Sequence, residues 1–100
     1  MVLSITEKIN LSEIRMEKTR DNLIDTEDTF KEGKYNLTVN RAYYAILTAS
    51  RSLLILKGVD PATHDGVKTM LSMHFVKHNL LPKSVIDNFR ILLARRTDID

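Results

Sequence analysis

From Ala42 to Leu56 the chain is apolar at every position except Thr48, Ser50, Arg51 and Ser52. Leu, Ala and Ile dominate the stretch, and it holds neither Pro nor Gly, so a helix is its natural state. Gly58 follows as the terminator that such a helix needs. A helix with apolar groups on nearly all sides has to be surrounded by other helices. At about 1.5 Å per residue, residues 37–57 reach about 30 Å, the width of a small domain. This predicts a central helix around which the remaining chain packs.

The flanking segments supply the walls. Asn10-Leu11-Ser12-Glu13 reads as a helix start, Asn10 capping and Glu13 reaching back. Met16, Thr19, Leu23, Thr26 and Phe30 then recur at alternating three- and four-residue intervals, predicting the buried stripe of a first helix that Gly33 ends. The link Lys34-Tyr35-Asn36 is short enough to imply an antiparallel hairpin with the central helix. After the Asp60-Pro61 turn signal, Thr63 caps a third helix with Val67, Met70, Leu71, His74 and Phe75 inward, and Asn79 closes it. Pro82 opens a fourth, with Val85, Ile86, Phe89, Leu92 and Leu93 as its buried stripe. Gly66, early in the third helix, implies close packing or a late start.

No strand pattern or repeat appears. The expectation is one domain, residues 1–100, folded as an all-α, four-helix up-and-down bundle. In such a bundle the second and fourth helices run the same way, which puts Arg41 and Arg96 at opposite ends of one subunit.

Composition narrows the function classes. With no Cys there is no disulfide, thiol nucleophile or Cys-based zinc site. Glu7 and Lys8 interrupt any signal-like run at the N-terminus, and Arg51 interrupts the longest apolar stretch, so the expected location is the cytoplasm and no membrane span is expected. Residues 1–36 hold six Lys/Arg and eight Asp/Glu, whereas residues 37–100 hold nine and five together with all three His. The second half is therefore mildly basic, a feature of a solvated surface or of a face that meets a polyanion.

The candidate residues each have two readings. Arg41 either binds phosphate or caps and pairs structurally, and Tyr43 and Tyr44 either stack on a base or divide between core and interface. His74 and His78 stand one turn apart, as metal ligands can, but without an evident third ligand they read as packed and helix-end residues. His64 is a turn residue or a functional one. Asp98 and Asp100 are acid–base groups or a polar terminus. Gly33, Gly58 and Gly66 are too far apart to form a phosphate loop.

In order along the chain come Gly33-Lys34-Tyr35, then Asn40-Arg41-Ala42-Tyr43-Tyr44-Ala45, then Leu53-Leu54 and Lys57-Gly58. Thr63-His64-Asp65-Gly66-Val67, His74-Phe75-Val76-Lys77, Leu80-Leu81-Pro82-Lys83 and Arg96-Thr97-Asp98-Ile99-Asp100 follow. This ordered set, over about residues 16–100, resembles the HEPN domain family, and within it the small proteins often encoded beside a minimal nucleotidyltransferase.

The resemblance implies the toxin-like or RNA-associated half of a toxin–antitoxin system, working as a homodimer with a nucleotidyltransferase partner and with RNA or a nucleotide as target. It implies no cofactor and no metal. Better-known family members cleave RNA without metal, using an Arg followed four to six residues later by a His in a cleft between subunits. Arg96 matches the Arg and is the catalytic candidate. The His has no counterpart, since Asp100 is four residues on and ends the sequence. Asn40, Arg41, Tyr44, His64, Arg95 and Asp100 are the candidates for contact with RNA, nucleotide or partner. The alternative is a non-catalytic module for dimerisation or nucleotide binding.

Overall fold

The computed structural model describes residues 2–99 and contains four α-helices, with no strand among the described residues. They are α1 (Ile5–Lys31), α2 (Tyr35–Leu56), α3 (His64–Leu71) and α4 (Lys83–Ile99), with a π-turn, Ser72–Val76, continuing α3. The all-α four-helix expectation holds. At 27 residues, α1 sets the long dimension of a body measuring 43 × 25 × 23 Å.

Three helix ends share one device. Gly33 and Gly58, both at φ 74°, and Asn79 at φ 60° adopt the left-handed conformation that helix termini favour. In each case the next residue's N–H reaches five residues back: Lys34 to Thr29, Val59 to Leu54 and Leu80 to Phe75, at 2.8–3.1 Å. The start of α1 departs from expectation. Ser4, not Asn10, is the cap, in a reciprocal capping box with Glu7 (3.1 and 3.0 Å), and the helix begins a turn and a half earlier. Ser4 and Glu7 show the Ser-x-x-Glu pattern as clearly as the later pair suggests it. These contacts hold the Glu7 carboxyl below its usual range.

The core forms around α2. Tyr43, Leu47 and Leu54 of α2 cluster with Val67 and Leu71 of α3, Phe75 of the π-turn, and Ile86 and Phe89 of α4, all buried. Each large apolar side chain removed from water contributes about 1.5–3 kcal/mol. None of this cluster comes from α1.

Helix directions differ from those of a plain up-and-down path. After Gly58 the chain climbs back along α2, so that His64, opening α3, lies against Tyr43 near the start of α2. Phe75 then lies under Lys57 at the other end (5.8 Å). So α3 runs with α2, and α4 runs against it, from beside Phe75 to Arg96 at Tyr44. Two contacts fix the returning segment. Asp60 accepts both Arg15 guanidinium nitrogens at 3.1 Å, and Thr63 caps α3 through the Gly66 N–H at 2.9 Å. A Cβ on Gly66 would meet the Thr63 Oγ1 at 2.9 Å and the Pro61 Cβ at 3.1 Å, so the glycine marks close packing.

The α1 stripe is also corrected. Thr19 and Thr29 are buried and Met16 and Thr26 half-buried, but Leu23 and Phe30 are exposed, at 51 % and 62 %. What faces α2 is a seam of hydroxyls. The Ser12 and Ser52 hydroxyls lie 2.8 Å apart, and each donates to the other residue's carbonyl. Thr19 meets Thr48 at 2.7 Å, and Thr38 donates to Thr29 at 3.0 Å. The alternating spacing read from the sequence is real, but the small hydroxyl residues bring the backbones together and leave the larger apolar ones at the margin.

Thr19 and Thr48 also donate to their own carbonyls four residues back. Thr48 also lies 3.3 Å from the Ala45 carbonyl, so two hydroxyl protons serve four contacts, and not all of them are made at any instant. Replacing both with the isosteric Val is expected to leave the urea midpoint unchanged or raised, whereas either single replacement lowers stability by about 1 kcal/mol. Denaturation of the two single variants and the double variant checks this.

Candidate functional site

Three elements meet at one end of the bundle: the start of α2, the start of α3 and the end of α4. Tyr43 is the hub. It is fully buried, edge-on to Tyr44 (5.4 Å) and Phe89 (5.9 Å), and tilted against His64 (5.5 Å). The Arg96 guanidinium packs over both tyrosine rings, 5.1 Å from that of Tyr43 and 5.2 Å from that of Tyr44, and Nη2 donates to the Tyr44 hydroxyl at 3.0 Å. Stacking of this kind contributes about 0.5–2 kcal/mol, more as water is excluded. It holds the planar cation in one orientation.

Electrostatics follow from burial and the two nearby arginines. Burial, with Arg96 and Arg51 close by, holds the His64 imidazole below its usual 6.5, opposed only by Asp65. Burial pushes the Tyr43 hydroxyl above 10, so it stays protonated. That hydroxyl and the Arg51 Nε are both buried without a hydrogen-bond partner among the described residues. A groove of ≈ 290 Å³ opens beside the cluster between α1 and α2, lined by Lys18, Asp21, Asn22, Arg41, Tyr44 and Thr48. Tyr44 thus faces both the groove and Arg96.

The sequence-predicted residues divide clearly. Arg96 and Tyr44 touch, and His64 joins them through Tyr43. Because α2 and α4 run in opposite directions, Arg41 lies at the same end of the subunit as Arg96, not at the opposite end. Arg41 lines the groove and makes no ion pair with any described residue; Asn40 is half-buried just before it. Arg95 is exposed beside Arg96. Asp100 lies outside the described residues. His74 is half-buried in the π-turn and His78 exposed beyond it, and no group of three or more described His, Asp or Glu residues could hold a metal ion. Arg51 is the member that sequence reading missed. Its signal was the one charge in the apolar run from Ala42 to Leu56.

Two stability effects are expected. The native His64 binds its proton more weakly than in the unfolded chain. Stability from this source is therefore complete above pH 6.5 and lost as the pH falls through 6.5 toward the lower native value. Melting between pH 8 and 5 reads this slope, and His64→Gln should flatten it. Tyr43→Phe removes a buried hydroxyl that has no partner among the described residues and should raise the melting temperature slightly, by about 1 kcal/mol in stability, where Tyr43→Ala costs about 3–5.

Comparison with known proteins agrees with this architecture. Among curated sequences, a "UPF0332 protein" of Pyrococcus horikoshii is 35% identical over 65% of this chain and 46% of its own length. A Methanocaldococcus jannaschii protein named "Putative toxin" is 32% identical over 66% of this chain and 45% of its own. A "UPF0332 protein" of Thermotoga maritima is 30% identical over 81% and 61% respectively. The chain spans about half the length of the first two. No solved structure gives a significant match. The model of the HEPN domain matches residues 12–100, nearly the whole of the described bundle, and the chain belongs to the HEPN family.

Proposed function

We propose that this protein is the toxin-like half of a two-component system, acting on RNA without a metal ion as a homodimer whose activity a minimal nucleotidyltransferase partner restrains. The observation that carries the reading is Arg96, held over the rings of Tyr43 and Tyr44 in the cluster that His64 and Arg51 also join, with Arg41 and Arg95 nearby. A fixed guanidinium suits the charge that builds on a phosphorane, since it is already oriented when the charge develops. The Methanocaldococcus jannaschii relative named "Putative toxin" supports the toxin-like role. No helix among the described residues is long and apolar enough to cross a membrane.

A second reading, a non-catalytic module for dimerisation or nucleotide binding, draws on a separate observation. Ile5, Leu23, Ile24 and Phe30 of α1 and Tyr35 of α2 are all more than half exposed. Apolar side chains in such number on one helical hairpin favour assembly.

Incubation with single-stranded RNA in EDTA separates the two readings. The parent is expected to cleave, and Arg96→Ala to fall by about 100-fold or more. Arg96→Lys keeps the charge but loses the planar fork, and it should recover little. Melting curves confirm that the variants fold. Absence of cleavage by the parent would remove the catalytic reading and leave the assembly module.

A further inference from the structure

Arg96 supplies a cation but no means of moving a proton, and the groups around it narrow the choice. Tyr43 is buried and stays protonated, and the Tyr44 hydroxyl already accepts from Arg96. His74 lies in the π-turn whose Phe75 packs at the opposite end of α2, and His78 lies beyond it. His64 alone among the histidines packs into the Arg96 cluster. It packs against Tyr43 and is only half-buried, so part of the residue remains in contact with solvent.

We propose that His64 is the proton acceptor for RNA cleavage at this site, working across the Tyr43 ring from Arg96. The assignment rests on the RNA-cleaving reading above. Both groups lie against one tyrosine ring, the imidazole 5.5 Å and the guanidinium 5.1 Å from its centroid. The position is rigid. Thr63 caps the helix that His64 opens, Gly66 packs tightly against Thr63 and Pro61, and the Arg15–Asp60 pair ties down the segment before them. The charged and titratable groups facing the imidazole are Arg51 and Tyr43 of α2, Arg96 of α4 and Asp65 of α3. Burial, and after it the two arginines, disfavour the imidazolium, so the ring is neutral at pH 7 and has a nitrogen to accept with.

In the step itself, the ribose 2′-hydroxyl gives its proton to His64 while its oxygen bonds to phosphorus. The phosphorus–5′-oxygen bond then breaks, and the leaving alkoxide takes a proton from water or from the imidazolium. The products are a 2′,3′-cyclic phosphate and a 5′-hydroxyl, with no oxidant, reductant or metal required. Arg96 balances the negative charge on the phosphorane oxygens throughout.

The test uses the full chain, one RNA and the same RNA carrying a 2′-deoxy residue at the cut site as a non-cleavable binding probe. His64→Gln is expected to bind the probe as the parent does while cleaving about 100-fold more slowly or worse. The parent's rate should rise with pH through a value below 6.5 and then level, and the variant should lose that limb. A variant that cleaves at the parent's rate with an unchanged pH profile overturns the assignment and leaves the RNA-cleaving reading intact. Loss of probe binding in step with cleavage overturns it too, making His64 a binding residue. Absence of cleavage by the parent overturns both.

Discussion

Enclosure of α2 is the constraint on which the rest depends. Tyr43, Leu47, Leu54 and Ile55 are each almost wholly removed from water, and no single neighbouring helix can cover such a surface. α1 covers one side, and α3 with its π-turn and α4 cover the others. Covering α2 from residue 43 to residue 55 with an α3 of only eight residues explains the path of the chain. The polypeptide returns along α2 before it turns helical again, so that α3 can start beside Tyr43 and end beside Lys57. Bringing α3 back in this way also sets the direction of α4, and so delivers Arg96 to the tyrosines.

α1 is held differently from the other helices. It contributes nothing to the apolar cluster, and its contact with α2 is a line of serine and threonine hydroxyls reinforced by Arg15 and Asp60. A hydroxyl exchanged between water and another hydroxyl stabilises little, about 0.5–1.5 kcal/mol per bond. The larger apolar residues of α1 sit at its margins and outer side. The helix thus meets its own subunit largely through hydroxyls and leaves Ile5, Ile14, Leu23, Ile24 and Phe30 exposed among its many charged residues.

The positions of the helices, three of their four ends and the core stripes of α3 and α4 were legible in the sequence, because periodicity, Gly33, Gly58 and Asn79 report local geometry. The start of α1 was misplaced because the sequence holds two successive capping patterns, Ser4 with Glu7 and Asn10 with Glu13, and the later one stands closer to the apolar stripe. Leu23 and Phe30 were misassigned for a different reason. Spacing shows which residues share a face, but not that a neighbouring row of threonines packs closer. At the site, Arg96, Tyr44 and His64 could be named singly from sequence. Their meeting could not, since it depends on helix direction, and helix direction depends on a segment whose composition says only that it turns.

That segment, residues 57–63, acts as a ruler. It is fixed at Gly58 by backbone geometry and at Asp60 by Arg15, and the remaining few residues measure out where His64 falls along the axis of α2. Adding or removing one residue there displaces the imidazole by up to one residue's reach, about 3.3–3.6 Å, while the apolar layers can still close. Natural variation in the length of this stretch would therefore retune the distance between imidazole and guanidinium without touching either group, which makes spacer length a separate variable from side-chain identity.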